Sequence, residues 1–435
     1  MRFMLLLLCS AMCSALFSLW AADPYPLVDA VEARARDGLP NVAQKIAEGK
    51  PITVAYLGGS ITAAPGWRVK SLAWLNKQYP KATFTEVHAA IGGTGSDLGV
   101  YRLGFDVLRH KPDLLFVEFA VNDGGADPLQ IHRCMEGIVR QTWTANAATD
   151  ICYVYTLTGD MVKDLTNGKY PRAASAMEAV ANHYGIPSIH FGVEVTKQVN
   201  AGSLIFKADK PEDKSEPLKA DGKIIFSHDN VHPIDAGHAI YSDVLARQLT
   251  ILLSQPVKNG KPAAKAHALG APLVADHYQQ AGMFPLTNVT LSPEWTQLGA
   301  NDKIVKSFGN RMPSIYRADK AGAKMSFRFK GTAVSLYDLL GPDCGQVSIV
   351  VDGGKPRIVA RIDGYCTYHR ISRLGIAADL PDGEHTVEIT IDAGIPDKAK
   401  ILFEKNRPDL EKNPEKYTGT AWYVGGVMVL GELIK

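Results

Sequence analysis

The chain has 435 residues, 46% hydrophobic and 21% charged, with 47 Lys and Arg against 45 Asp and Glu for a net charge of +2. At about 100–200 residues per domain, that length allows two to four domains, and the composition excludes a mostly disordered or collagen-like chain. No basic excess steers it onto nucleic-acid phosphates, so no nucleic-acid partner is expected. A single apolar stretch is long enough to concern a membrane, which excludes a multi-span membrane protein.

That stretch opens the chain and reads as an export signal over residues 1–22. Arg2 gives a positive start, Met4 to Leu8 begin the apolar run, and Leu19-Trp20-Ala21-Ala22 offers small residues for cleavage. An uncleaved anchor is the competing reading, since Phe3 to Ala22 is nearly long enough to span. Lipid attachment fits less well: Cys9 leaves the apolar core too short, and Cys13 follows Met12 where a small residue is expected. A secreted or periplasmic location follows, with no membrane span after cleavage.

Cleavage leaves Cys134, Cys152, Cys344 and Cys366 where disulfides can form. Cys344 and Cys366 flank two strand-like runs, Val347–Val351 and Arg357–Ile362, joined by Asp352-Gly353-Gly354-Lys355. Folding that hairpin about its turn predicts a Cys344–Cys366 bridge. Cys134 lies early in a helical run whose far end is roughly 18 Å away, and Cys152 opens the strand that follows. These two are expected as buried thiols.

From Pro51 to Ser254 strands and helices alternate. Strands are predicted at Ile52–Leu57, Phe84–Ala90, Leu114–Val121, Ile151–Thr156 and Ser188–Phe191. Helices are predicted at Trp67–Tyr79, Ser96–Arg109, Leu129–Asn146, Pro171–Tyr184 and Ile234–Leu253. Apolar strands separated by helices imply a parallel sheet covered on both faces: an α/β, flavodoxin-like three-layer sandwich with five parallel strands, spanning residues 23–254. Residues 255–284 read as a linker, rich at first in Ala, Pro and Lys. Over 285–435 the helical period gives way to short alternating runs, among them Lys324–Phe329, Thr332–Leu336, His385–Ile391 and Ala421–Leu430. They predict an antiparallel, jelly-roll-like β-sandwich, with Glu404–Gly419 as a long loop before its last strand.

Ligands of open parallel sheets bind beyond the carboxyl ends of the strands. Gly58-Gly59-Ser60-Ile61-Thr62 follows the first strand, Ile91-Gly92-Gly93-Thr94-Gly95 the second, and Asn122-Asp123-Gly124 the third. Asp229-Asn230-Val231-His232-Pro233 precedes the last helix. These residues form a hydrolytic set. Ser60 is the candidate nucleophile, turned out of its strand by two glycines. His232 is the base that takes the serine proton, and Asp229, three residues earlier, holds the imidazole tautomer. The Ser60 and Gly93 amides and the Asn122 side-chain amide are the candidate oxyanion donors, with Gly92 and Gly95 as neighbouring alternatives to Gly93. One such donor is worth about 3–4 kcal/mol of barrier.

In these four blocks the chain resembles the SGNH (GDSL-type) hydrolases, over residues 52 to about 254. Gly59 and Ile61 depart from the family's usual Asp and Leu, and His88 stands where Asn is common. The resemblance implies a Ser-His-Asp esterase that needs no cofactor, and a β-sandwich beside such a domain points to carbohydrate deacetylation. The expected partner is an acetylated polysaccharide or oligosaccharide. A lipase or thioesterase of the same family and a non-catalytic glycan binder are the alternatives.

Neighbouring residues have competing readings. Asp123 shapes the Asn122 turn, and Glu118 is a structural partner behind the site. Trp67, Arg68 and Tyr101 are candidate substrate contacts, although core packing explains Trp67 and Tyr101 equally well and a solvated helix face explains Arg68 better. Trp295, Tyr337, Tyr365, Tyr368 and Trp422 are candidate glycan platforms in the sandwich. A dinucleotide fingerprint fails at Leu98, where a sixth-position glycine is needed, and the G-x-S-x-G elbow fails at Thr62. A metal cluster of His228, Asp229, His232 and His238 leaves Ser60, Gly93 and Asn122 without roles, so no metal is expected.

Overall fold

A computed structural model describes residues 24–212, 214, 217–254 and 265–434. The apolar opening lies outside them, and no helix among the described residues is long and apolar enough to cross a membrane. The first domain is built on strands β1 (Ala33–Arg34), β2 (Ile52–Gly58), β3 (Phe84–His88), β4 (Leu114–Glu118), β5 (Asp150–Tyr155) and β6 (Ser188–His190). Their order across the sheet is β1-β6-β5-β4-β2-β3. β2 to β6 run parallel, as the alternation predicts, and the short β1 adds an antiparallel edge. β4 and β5 are buried at every residue, as strands covered on both faces must be. Helices Trp67–Gln78, Phe191–Asn200 and Asp235–Leu253 pack together on one face, and Ser96–Asp106, Pro128–Ala145 and Arg172–Tyr184 on the other.

The chain leaves β2 in one direction to reach β3, then crosses back to β4. That reversal opens a crevice beyond the carboxyl ends of β2 and β4, where ligands of such sheets bind. A small sheet of β7 (Leu204–Lys207), β8 (Lys219–Ala220) and β9 (Lys223–Ser227) was not visible in the sequence pattern. Its strand β9 delivers the chain to the loop holding Asp229 and His232.

The connector's described part does not run free. His267 stacks on Trp143 with ring centres 4.6 Å apart, and the Leu273 and Val274 amides donate to the buried Glu136 carboxylate at 2.6 and 2.9 Å. The second domain is a ten-stranded antiparallel sheet: β10 (Ala281–Phe284), β11 (Thr290–Leu291), β12 (Thr296–Gln297), β13 (Tyr316–Ala318), β14 (Lys324–Leu340), β15 (Gln346–Val351), β16 (Arg357–Ala360), β17 (Arg370–Ala377), β18 (Gly383–Ile391) and β19 (Trp422–Ile434). It wraps a core that includes Met325, Phe329, Leu336, Ile389, Trp422 and Val427.

The two strands expected at Lys324–Phe329 and Thr332–Leu336 are one, β14. Its first half pairs with β18, its second half with β17, and most of its length with β19. The break in the sequence pattern is a bulge where Gly331 (φ 147°) meets Gly431 (φ 136°) so closely that a Cβ on either would overlap the other strand's backbone. The stretch expected as a loop over Glu404–Gly419 carries a short helix, Arg407–Lys412.

The expected Cys344–Cys366 bridge is not formed, and both cysteines are free and buried, as are Cys134 and Cys152. Register is the reason. Gln346 pairs with Ala360, so the hairpin sets Cys344 opposite Ile362. Cys366 lies beyond the strand, in a tight turn where its sulfur faces Asp363 Oδ1 at 3.2 Å.

The second domain also buries an ion pair. Arg361 donates from two nitrogens to Asp338 at 2.8 Å each, and Trp422 Nε1 donates to the same carboxylate at 2.9 Å. Asp338→Ala strands a buried guanidinium and is expected to cost about 3–5 kcal/mol, read from the denaturant midpoint of the transition that reports this domain.

Candidate active site

β2 ends at Gly58, and a one-turn helix, Ser60–Ala63, begins two residues later. The turn between them is tightly enclosed. A Cβ on Gly58 would lie 2.8 Å from the Glu118 carbonyl, and one on Gly59 would overlap the Asn122 amide. Only glycine fits there. Beneath the turn, Glu118 accepts from the Thr62 hydroxyl at 2.8 Å and the Thr156 hydroxyl at 2.7 Å. Burial raises its carboxyl above the usual range, against these hydrogen bonds and one from the Gly59 amide. Glu118 is a structural partner behind the site.

The loop after β9 comes to Ser60 from the other side. Ser227 pairs with Pro233, the Ile234 amide donates to Phe226 O at 2.8 Å, and the Gly159 amide donates to Asn230 O at 3.0 Å. Within this frame Asp229 Oδ1 accepts the Val231 and His232 amides at 2.9 and 2.7 Å. Asp229 Oδ2 lies 2.6 Å from His232 Nδ1, and His232 Nε2 lies 2.8 Å from Ser60 Oγ. Hydroxyl, imidazole and carboxylate are thus joined in series, although Ser60 and His232 are 172 positions apart. Partial burial alone would raise the Asp229 carboxyl. The hydrogen bonds from the His232 ring and the two amides outweigh it and hold Asp229 well below the usual carboxylate range. An ionised Asp229 keeps the proton on Nδ1 and leaves Nε2 to accept from serine.

Gly92 and Gly93 flank Ser60 across the crevice. A Cβ on Gly92 would be 3.6 Å from the Ser60 Cβ, and Gly93 takes φ +72°, which favours glycine. Among the described residues, no protein acceptor takes the Ser60 or Gly93 amide hydrogen or an Asn122 side-chain hydrogen. Gly92 lies against the Ser60 side chain and the Asn122 amide against Gly59, which sets both strand-end loops beside the hydroxyl. From Gly93 and Asn122 a groove of about 660 Å³ runs between the two domains, bordered by Asp97, Asp127 and Gln130 on one side and Ser335 and Arg373 on the other.

Of the candidate substrate contacts, Tyr101 lines this groove and Trp67 and Arg68 do not. Trp67 is fully buried and packs edge-on against Tyr56, Phe116 and Phe191. Arg68 is buried, donating to Thr62 O at 3.0 Å and pairing with Glu86. Tyr101 is buried against Tyr278 and is among the residues lining the groove. Each sits on a helix face whose burial is set by neighbours distant in sequence. In the second domain Trp295, Tyr337 and Trp422 are core residues, whereas Tyr365 and Tyr368 are exposed. The histidines near His232 are engaged elsewhere: His228 Nδ1 lies 2.8 Å from Ala208 O, and His238 Nδ1 accepts the Trp67 amide at 3.2 Å. Burial pushes His238 down to about 4. His88 is likewise pushed down to about 4, by burial and by Arg68, Arg311 and Arg102 around it.

Residues 56–240 match a family model described as the GDSL-like Lipase/Acylhydrolase family. Residues 56–240 are thus similar to that family, and an additional C-terminal domain follows them. Across both domains it is similar to a two-domain esterase active on acetylated mannans, at TM-score 0.68 and 21% identity, covering 92% of this chain and 97% of that one. The crystal form of that esterase with mannopentaose gives TM-score 0.67 over the same shares. At this identity the likeness is one of fold. No curated protein matches the chain.

Asp123 was expected to shape the Asn122 turn. Its Oδ1 accepts the Ser96 amide at 3.0 Å, capping the helix after the glycine loop, while Oδ2 is buried without a partner. Burial raises this carboxyl to about 7, against the Ser96 hydrogen bonds. A raised folded value means the folded state holds the proton more tightly, so the stability it contributes is present below about pH 4 and lost as pH rises through about 7. Asp123→Asn keeps a capping oxygen and cannot ionise. Its thermal midpoint relative to the parent is expected to rise between pH 5 and pH 8, and a difference that stays constant over that range would mean that Asp123 folds ionised.

Proposed function

We propose that the protein is a carbohydrate O-acetylesterase, acting outside the cytoplasm, with Ser60 as nucleophile, His232 as general base and acid, and Asp229 as the group that orients the imidazole. The observation carrying this reading is the continuous hydrogen-bonded series from Asp229 Oδ2 through His232 to Ser60 Oγ, beside Gly93 and Asn122, which line a groove.

Ser60 Oγ attacks the acetyl carbonyl while His232 Nε2 takes its proton. Charge gathers on the carbonyl oxygen, which the Ser60 and Gly93 amides and the Asn122 side chain hold. The bond to the sugar oxygen then breaks, and that oxygen leaves with the proton from the imidazolium. Water, deprotonated by His232, attacks the acetyl-serine and releases acetate. Ionised Asp229 stabilises the imidazolium in both halves. The sugar reading rests on the groove: its lining carries acids, amides and hydroxyls suited to sugar hydroxyls, and the fold is shared with an esterase acting on acetylated mannans.

Ser60→Ala is expected to lower kcat on 4-nitrophenyl acetate by about 10³-fold or more in a folded protein. A fluorophosphonate should label Ser60 in the parent, seen as one added mass on the peptide containing it. Full activity of Ser60→Ala would overturn the mechanism. Acetate release from acetylated mannan or xylan, with none from long-chain acyl esters, separates a carbohydrate esterase from a lipase.

Asn122→Ala removes one oxyanion donor without touching the nucleophile. It should cost about 10²–10³-fold in kcat, with KM for the same small ester little changed. A parallel rise in KM would instead mark Asn122 as a ground-state binding group.

A further inference from the structure

The loop from His88 to Ser96 carries Gly93, and its two ends are tied to its own domain. The Ala89 and Ile91 amides donate to Tyr56 O and Gly58 O at 3.0 Å each, and the Ser96 amide donates to Asp123. Thr94 Oγ1 closes a turn onto Ile91 O at 2.8 Å. Between these ties lies the Gly92-Gly93 tip, in a run with three glycines, where the backbone has the most freedom to lose.

The second domain grips this loop with three arginines. Arg311 donates to His88 O at 2.7 Å and to Ala90 O at 3.1 Å. Arg373 Nε meets Asp97 Oδ2 at 3.3 Å, just past the loop. Arg370 covers the tip: a Cβ on Gly93 would lie 2.6 Å from Arg370 Nη2. Arg370 is itself held, donating from Nη1 to Asp363 Oδ2 at 2.6 Å with its guanidinium 5.0 Å from the Tyr365 ring centre. The three contacts fall before, on and after the two glycines.

We propose that the second domain completes the catalytic centre by fixing the oxyanion loop, and that Arg311, Arg370 and Arg373 are positioning residues acting through Gly93. The inference rests on the esterase reading above. It concerns the reaction itself rather than glycan affinity, so it extends to an ester too small to span the groove. A displacement of about 1 Å in a donor can cost about 10²-fold, and a glycine tip released from its cover has the freedom to move that far.

The test is kcat and KM on 4-nitrophenyl acetate for Arg370→Ala, Arg373→Ala and the triple alanine variant of the full chain. Rates are divided by active sites counted from the endpoint of fluorophosphonate labelling, which removes any loss from unfolded protein. Arg370→Ala is expected to lower kcat about tenfold and the triple variant about 10²-fold, with KM within about twofold of the parent. Arg370→Lys, keeping the charge and most of the covering stem, should recover part of the loss. Where the triple variant does not fold, Arg370→Gln alone carries the test. Per-site kcat within twofold of the parent, alongside an inactive Ser60→Ala, overturns the inference and leaves the esterase standing. A fully active Ser60→Ala overturns both.

Discussion

A parallel sheet whose strand order reverses between β2 and β4 leaves a gap at one edge, and everything chemical here is arranged around that gap. Ser60 leaves β2 into it, Asn122 follows β4 into it, and the loop after β3 covers it. The 2.8 Å contact between His232 and Ser60 spans the gap, so the hydroxyl and the imidazole meet only if the whole first domain is assembled. Such non-local dependence makes the site a report on the fold, because a shift of the sheet, the small β7–β9 sheet or the last helix separates the pair.

The polar groups around the gap are divided between holding and reacting. Glu118, buried and bonded to Thr62, Thr156 and Gly59, fixes the turn from below and stays away from solvent. Asp123 starts the helix that follows the glycine loop. Asp229 and His232 are about half exposed, so protons and water can reach them. Burial raises Glu118 and Asp123, whereas hydrogen bonds lower the half-exposed Asp229.

Two domains meet over this edge through an apolar seam, in which Met312, Tyr337, Leu339 and Met428 join the first domain's core, and through arginine side chains. Arginines suit such a joint, since each guanidinium offers several donors in a fixed plane and bonds backbone carbonyls or carboxylates without burying an unpaired acceptor. The groove left between the domains mixes apolar and polar lining, with acids on one wall and Arg373 on the other. Inside the second domain, Asp338, Arg361 and Trp422 form a buried hydrogen-bonded cluster, and paired glycines shift the register of β14 against β19.

Local signals determined a good part of this. Apolar runs at strand and helix length gave the five parallel strands and their helices, because a strand buried on both faces must be apolar throughout. Short blocks at strand ends gave Ser60, Gly93, Asn122, Asp229 and His232, since topology sends those ends to one edge whatever the details between. What depends on distant partners was decided only by tertiary structure. Arg68 looks like a surface group, and Trp67 and Tyr101 could face either way, until helices and strands from elsewhere bury them. Cys344 and Cys366 look paired until a register slip of a few residues parts them, and no composition reports register. The arginines over the glycine loop lie more than 200 positions from it, and only the docking of one domain on the other brings them there.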